Sequence, residues 1–191
     1  MTLPMRIVAG RFKGRQIATP PGRDTRPTSD RAREAIFNVL AHANWAPEFN
    51  GARVLDLFAG SGALGFEAIS RGASHCLFVE SDASARAAIR TNTEAFGLTG
   101  AARIHRRSAT DLGVRPTAQA PYDIAFLDPP YGRDLAAQAI NGLLANHWLG
   151  ADGVIVAETE IDAALEPQAC GLEADKTYGK ARVRFFTVRS S

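Results

Sequence analysis

The chain has 191 residues, 46% hydrophobic and 22% charged, with a net charge of +2. That is enough length for one substantial core, and the composition excludes a disordered chain or a fibrous repeat. No apolar run approaches the roughly eighteen residues of a membrane span and no signal-peptide stretch opens the chain, so the expected compartment is the cytoplasm.

The charge is unevenly spread. Residues 1–33 carry eight basic side chains against two acids, a local balance of +6 that leaves the remainder at −4. From Lys176 onward there are five more bases and no acid. Positive charge at both ends suits a polyanion. Cys76 and Cys170 lie far apart with no C-x-x-C pair, and are expected to be packing residues rather than a disulfide.

In chain order, Ile7-Val8-Ala9-Gly10 and Gln16-Ile17-Ala18-Thr19 flank the basic stretch Arg11 to Arg15, which predicts a short hairpin with a positive tip. Pro20-Pro21-Gly22 breaks regular structure, and a loop through Arg26-Pro27 leads to Thr28-Ser29-Asp30, any of which could cap a helix. Ala32, Ala35, Ile36, Val39 and Leu40 then recur at helical spacing, with Arg31 and Arg33 expected on the opposite, polar face. Residues 1–50 are thus expected to form a basic hairpin and helix, set off by a composition shift near residue 50 from a second region at 51–191.

Beyond residue 50, apolar strands alternate with helical stretches, the pattern of a parallel sheet covered on both faces. Strands are expected near 53–58, 75–80, 102–107, 122–127 and 153–158, and helices at 62–71, 83–96 and 133–146. Tyr178-Gly179-Lys180 predicts a turn joining an extended segment to a last strand, Ala181 to Arg189, as antiparallel neighbours.

The first of these strands runs through Asp56 into Phe58-Ala59-Gly60-Ser61-Gly62, and with Gly65 this satisfies G-x-G-x-x-G at the opening of a helix. Glu80 follows Gly60 by 20 residues, at the end of the next strand, where a carboxylate could hold the hydroxyls of a ribose. A nicotinamide dinucleotide fits that much. Asp56 favours S-adenosylmethionine instead, because an acid four residues before the first glycine opposes a pyrophosphate but suits an ammonium group. The turn Phe58 to Gly62 would then take the methionine and ribose portions.

The fourth strand ends in Asp128-Pro129-Pro130-Tyr131. In an open parallel sheet the ligand crevice lies beyond the carboxyl ends of the strands, which puts this strip beside the glycine turn. An exocyclic base amine is a poor nucleophile because its lone pair is delocalised into the ring. The Asp128 carboxylate and the Pro129 carbonyl, held by a stiff Pro-Pro unit, could accept both amine hydrogens and localise that pair. Tyr131 could stack on a base that is unpaired or swung out.

His42, His75, His105 and His147 show no metal-ligand spacing, so no metal is expected. Arg11, Lys13 and Arg15 around Phe12 combine charge with an aromatic ring and predict nucleic-acid contact, together with Arg6, Arg26 and Arg31.

With these motifs in place the chain resembles the bacterial RsmD-type methyltransferases of ribosomal RNA nearly end to end. The resemblance is carried by Arg6 to Gly10 with Gly14-Arg15, by Arg26-Pro27-Thr28 with Asp30-Arg31, Arg33-Glu34 and Phe37-Asn38, by Asp56 to Gly65, and by Asp128 to Tyr131. It implies an α/β, Rossmann-like methyltransferase fold with a seven-stranded, mostly parallel sheet, an antiparallel last strand, and an N-terminal β-hairpin and helix.

The resemblance further implies S-adenosylmethionine as cofactor and the N2 amine of one guanine in small-subunit (16S) ribosomal RNA as substrate, on an assembled or assembling particle. Asp56, Gly60, Gly62 and Glu80 match cofactor positions, and Asp128 to Tyr131 match the catalytic strip. Ser108-Ala109 falls where such enzymes contact the adenine. Three rivals stay open: an adenine-N6 methyltransferase of DNA or RNA, an NAD-linked oxidoreductase, and a non-catalytic RNA-binding assembly factor.

Overall fold

Side-chain alternation along the strands sorts the apolar residues into two clusters, one on each face of a single sheet. In β1 (Arg53–Leu57), Val54 joins one cluster while Leu55 and Leu57 join the other, as a period of two requires. A computed structural model of the chain describes residues 4–21, 30–131 and 134–189.

After an N-terminal arm come α1 (Asp30–His42), β1, α2 (Ala63–Ser70), β2 (His75–Val79), α3 (Ala83–Ala95), β3 (Ala102–His105) and β4 (Tyr122–Leu127). They are followed by α4 (Leu135–Ala145), β5 (Leu149–Glu160), β6 (Cys170–Tyr178) and β7 (Ala181–Val188). The seven strands lie in the order β3-β2-β1-β4-β5-β7-β6, and β7 runs antiparallel to both neighbours. This is the Rossmann-like α/β architecture expected from the sequence, with its antiparallel last strand. Tyr178 and Ala181 close the terminal hairpin as predicted.

The two faces are covered unequally. Ile36, Phe37 and Leu40 of α1, Phe66 and Ile69 of α2, and Ile89 of α3 pack on one face. On the other, α4 is the only helix among the described residues, and Leu112, Trp148 and Leu165 from irregular segments complete the cover. Cys76 and Cys170 are buried free thiols that fill space, one in each cluster.

Three local expectations are corrected. The N-terminal hairpin is reduced to one antiparallel bridge, Arg6 to Gln16, with Ile7 N–H donating to Arg15 O at 2.9 Å and Gly14 N–H to Ile7 O at 2.8 Å. No longer ladder forms, because the amides of Val8 and Ala9 donate instead to the Glu67 carboxylate at 2.8 and 3.0 Å. Arg33 is not on the polar face of α1: it is 0% exposed and lies on the same stripe as Ile36, Phe37 and Leu40. Its guanidinium donates to Asp30 at 2.7 Å and to the carbonyl of Arg6, and sits 3.9 Å from Glu67. Finally, β5 begins at Leu149 rather than near 153, its first residue paired with Tyr122 ahead of a register shift.

Ile7, Ile17, Ile36 and Phe37 belong to the same apolar cluster as the sheet residues Val54, Phe78 and Phe126. The basic N-terminal region therefore shares the core of the rest of the chain. Thr28, Ser29 and Arg26 lie outside the described residues.

Candidate active site

The site starts from strand register. Leu57 pairs with Val79 of β2 on one side and with Leu127 of β4 on the other. The next residue of each strand, Phe58, Glu80 and Asp128, therefore emerges side by side at the carboxyl rim, the outer two about 10 Å apart across β1 at ordinary strand spacing.

Directly after β1 the chain turns back hard. Phe58, Gly60 and Gly62 have φ of 58°, 56° and 80°, all left-handed, and for Phe58 that conformation is a strained one. The turn is held from outside: the Gly60 amide donates to Glu80 at 2.8 Å, and Asn92 of α3 donates to Ser61 O at 3.2 Å. Gly65 serves a different purpose from the first two glycines. A Cβ there would lie 2.4 Å from the Phe78 ring and 2.6 Å from Cys76 Sγ, so its absence lets α2 pack directly on β2.

Asp56 is buried beneath this turn and accepts from the Gly65 amide at 2.9 Å, which leaves its other oxygen for a ligand. Burial pushes its carboxyl well above the usual carboxylate range, the Gly65 hydrogen bond offsets part of this, and the nearby Asp128 and Glu80 carboxylates push it further up. Glu80 accepts from the amides of Gly60 and Asp82, both at 2.8 Å, so it fixes the turn while retaining lone pairs toward the crevice. Asp82 then caps α3, accepting from Ala85 N–H at 2.8 Å.

Three carboxyl groups gathered at a strand rim fit a cationic ligand and repel a phosphate. The donor set therefore suits S-adenosylmethionine, which carries an ammonium and a sulfonium, and opposes a nicotinamide dinucleotide. Asp56 would face the ammonium, the turn from Phe58 through Ala59 to Gly62 the methionine chain, and Glu80 the ribose hydroxyls. Ser108 is exposed after β3, its hydroxyl 2.8 Å from that of Thr110, and Ala109 is buried beside Leu112.

At the end of β4, Asp128 is half-buried, Pro129 buried and Pro130 exposed. Tyr131 is 45% exposed at the rim. Among the described residues no group of three metal-ligating side chains comes together.

The predicted RNA-contact residues fall into separate places. Arg6 is exposed and pairs with Asp30 at 3.2 Å, and Arg31 is exposed on α1. Arg11 and Lys13 are exposed on the arm. Phe12 and Arg15 are committed internally: Phe12 stacks on Phe96 at 5.3 Å, while Arg15 lies over Phe96 at 4.6 Å and donates to Ala95 O. Phe12 is therefore a packing residue and not an open platform for a base.

Two buried polar residues escaped the sequence reading. Asn92 binds both backbone groups of Ala18 (2.7 and 3.0 Å) as well as Ser61 O. Glu67 holds Val8 and Ala9 and pairs with Arg71 at 2.8 Å. The signal was present, since each is a polar residue on an otherwise apolar helical stripe.

Comparison with known proteins bears on the family and the fold. Residues 5–187 match the family described as Conserved hypothetical protein 95. The ribosomal RNA small subunit methyltransferase D of Haemophilus influenzae is 36% identical over 95% of this chain and 93% of its own length. That of Escherichia coli K12 is 34% identical over 95% and 89%. The solved structure of yhhF from Escherichia coli superposes with a TM-score of 0.82 at 33% identity, covering 98% of this chain and 99% of that one. The chain belongs to the Conserved hypothetical protein 95 family, that of the small-subunit ribosomal RNA methyltransferase D proteins.

Proposed function

We propose that this protein transfers a methyl group from S-adenosylmethionine to the exocyclic N2 amine of a guanine in small-subunit (16S) ribosomal RNA, on an assembled or assembling particle in the cytoplasm. The observation that carries the reading is the register of Leu57 with both Val79 and Leu127, which sets the glycine turn, Glu80 and Asp128 along one rim. The names of the relatives supply the ribosomal substrate.

When bound, the cofactor supplies an electrophilic methyl on a sulfonium. The chain does the rest. Tyr131 stacks on the extruded base, and Asp128 and the Pro129 carbonyl accept the two amine hydrogens, turning the nitrogen lone pair out of the ring and toward the methyl. Asp128 also stabilises the positive charge that develops on nitrogen during in-line displacement, and the released proton passes to Asp128 or to solvent. Residues 1–50 serve as the RNA-contacting extension of the 51–191 methyltransferase domain, through Arg6, Arg11, Lys13, Arg31 and Arg26.

The test is methyl incorporation from labelled cofactor into small-subunit particles from a strain lacking the protein, with nucleoside mass spectrometry of the product. N2-methylguanosine at a single site is expected, lost in Asp128→Ala with RNA binding retained. Methyl found only on adenine N6, or on duplex DNA, overturns the proposal. Normal assembly supported by Asp128→Ala without methylation would instead identify a non-catalytic assembly factor.

A further inference from the structure

The arm places its basic tip away from the catalytic rim. Met5 accepts from the Ser61 hydroxyl at 3.3 Å, level with the glycine turn, but Arg11 N–H donates to Ser70 O at 2.9 Å, at the far end of α2. Arg15 is fixed at Ala95 and Phe96, the far end of α3. The tip therefore lies at the amino-terminal edge of the sheet, about 20 Å from the rim by the length of a 13-residue helix.

A cleft of about 500 Å³ lies along α3 between these two levels. It runs between α3 and the edge strand β3, lined by Arg86, Arg90 and Glu94 on the helix and by Ala102, Ile104 and Arg106 on the strand side. One end is tied to the backbone just past β2, because Arg86 donates to the carbonyls of Glu80 and Ser81 at 3.1 and 2.6 Å. The other end is lined by Glu94, Thr99 and Ala102, the first two flanking in sequence Phe96, over which Arg15 lies. From Ala95 to Thr110 the chain carries Arg103, Arg106 and Arg107 and no acid, within a region that is otherwise net negative. Arg90 and Arg106 are exposed and form no ion pair among the described residues.

Protection of a sheet edge accounts for a cation on β3 such as Arg103. It does not account for Arg90, which projects from a helix into the same cleft. Exposed arginines on both sides of one groove suit the charge of a nucleic-acid backbone rather than an apolar ligand.

We infer that the α3–β3 cleft is a track for the RNA sugar-phosphate backbone, held by Arg90 and Arg106, leading from the basic arm to the catalytic rim. This rests on the RNA-methylation reading. It explains how a basic tip remote from Asp128 contributes to binding the same substrate.

The experiment measures binding of a fluorescein-labelled fragment of unmodified small-subunit ribosomal RNA to the full chain across a salt series. Arg90→Gln with Arg106→Gln is expected to lower affinity about tenfold and to reduce the slope of log affinity against log salt by about two, each single variant giving about half. Arg90→Lys with Arg106→Lys should restore most of both, and cofactor affinity by calorimetry should not move. Unchanged RNA affinity and slope in the double glutamine variant, with wild-type binding intact, overturns the cleft while sparing the proposed function. Absence of RNA binding by the wild type undermines that function itself. Loss confined to assembled particles, with naked RNA still bound normally, assigns the cleft to a protein surface and also overturns the inference.

Discussion

The Gly60 amide and the Glu80 carboxylate are joined at 2.8 Å, so the residue proposed to hold the cofactor ribose also sets the shape of the turn beneath it. Glu80→Ala therefore removes a ligand contact and two charge-assisted bonds to backbone at once, each worth about 1.5–3 kcal/mol. Cofactor affinity measured by calorimetry should fall by about tenfold or more. Glu80→Gln, whose single amide oxygen can replace one of those bonds, should fall between that variant and the wild type. Equal affinity in all three proteins would remove Glu80 from the site.

Asp56 predicts a pH dependence of defined sign. Its carboxyl is raised by burial and by neighbouring carboxylates, whereas a bound ammonium favours its ionised form. Cofactor binding should then release a proton, and affinity should climb as pH rises from the usual carboxylate range to the raised value. In the unliganded protein the sign is opposite: the stability this group contributes is fully present below its unfolded pKa and is lost as pH rises through the folded one. Asp56→Asn keeps an acceptor for the Gly65 amide and should flatten both profiles. Calorimetry in two buffers of different ionisation enthalpy reads the released proton, and a pH-independent affinity in the wild type would refute the assignment.

Asn92 bridges the arm and the glycine turn, and its two ends can be tested separately. Asn92→Asp still accepts from Ala18 N–H but loses the donors to Ala18 O and Ser61 O. It should raise KM for the cofactor several-fold with little change in exchange of the Ala18 amide. Asn92→Ala should raise KM similarly and also expose that amide to rapid hydrogen exchange, with a loss of about 1–3 kcal/mol for the buried group left unpaired. Variants that lower kcat alone would argue against a positioning role.

Glu67 is fully buried and holds two arm amides together with Arg33 and Arg71. Glu67→Ala leaves the Arg33 guanidinium, already pushed below its usual pKa by burial, with Asp30 as its remaining acid partner. Removing one member of such a buried pair costs about 3–5 kcal/mol, which for a chain of this size lowers Tm by about 10 °C. A thermal melt within 2 °C of the wild type, on the scale of about 2–4 °C per kcal/mol, would show the pair to be replaceable by water.

The glycine turn and the acidic strand end were legible because their signals are local. Gly60, Gly62 and Gly65 answer to backbone geometry, Asp128 to Tyr131 end an unambiguous apolar strand, and alternation places both at a sheet rim. The terminal hairpin was legible for the same reason, since the turn at Gly179 lies between alternating strands. The N-terminal arm was misread where distant groups compete for it: the amides that would build a hairpin ladder are taken by Glu67, and no local pattern reveals an acceptor almost 60 residues away.

Sequence by itself determined the order of strands and helices, the glycine turn, and the pairing of an acidic strand end with a Pro-Pro strip, because propensity, alternation and turn chemistry act over a few residues. Only the tertiary structure decided that Arg33 is buried, that Phe12 packs on Phe96, and that Arg90 and Arg106 line one cleft. Those outcomes depend on which side chains meet through space, and a guanidinium or an aromatic ring has the same composition whether it meets water, RNA or a carboxylate from another helix.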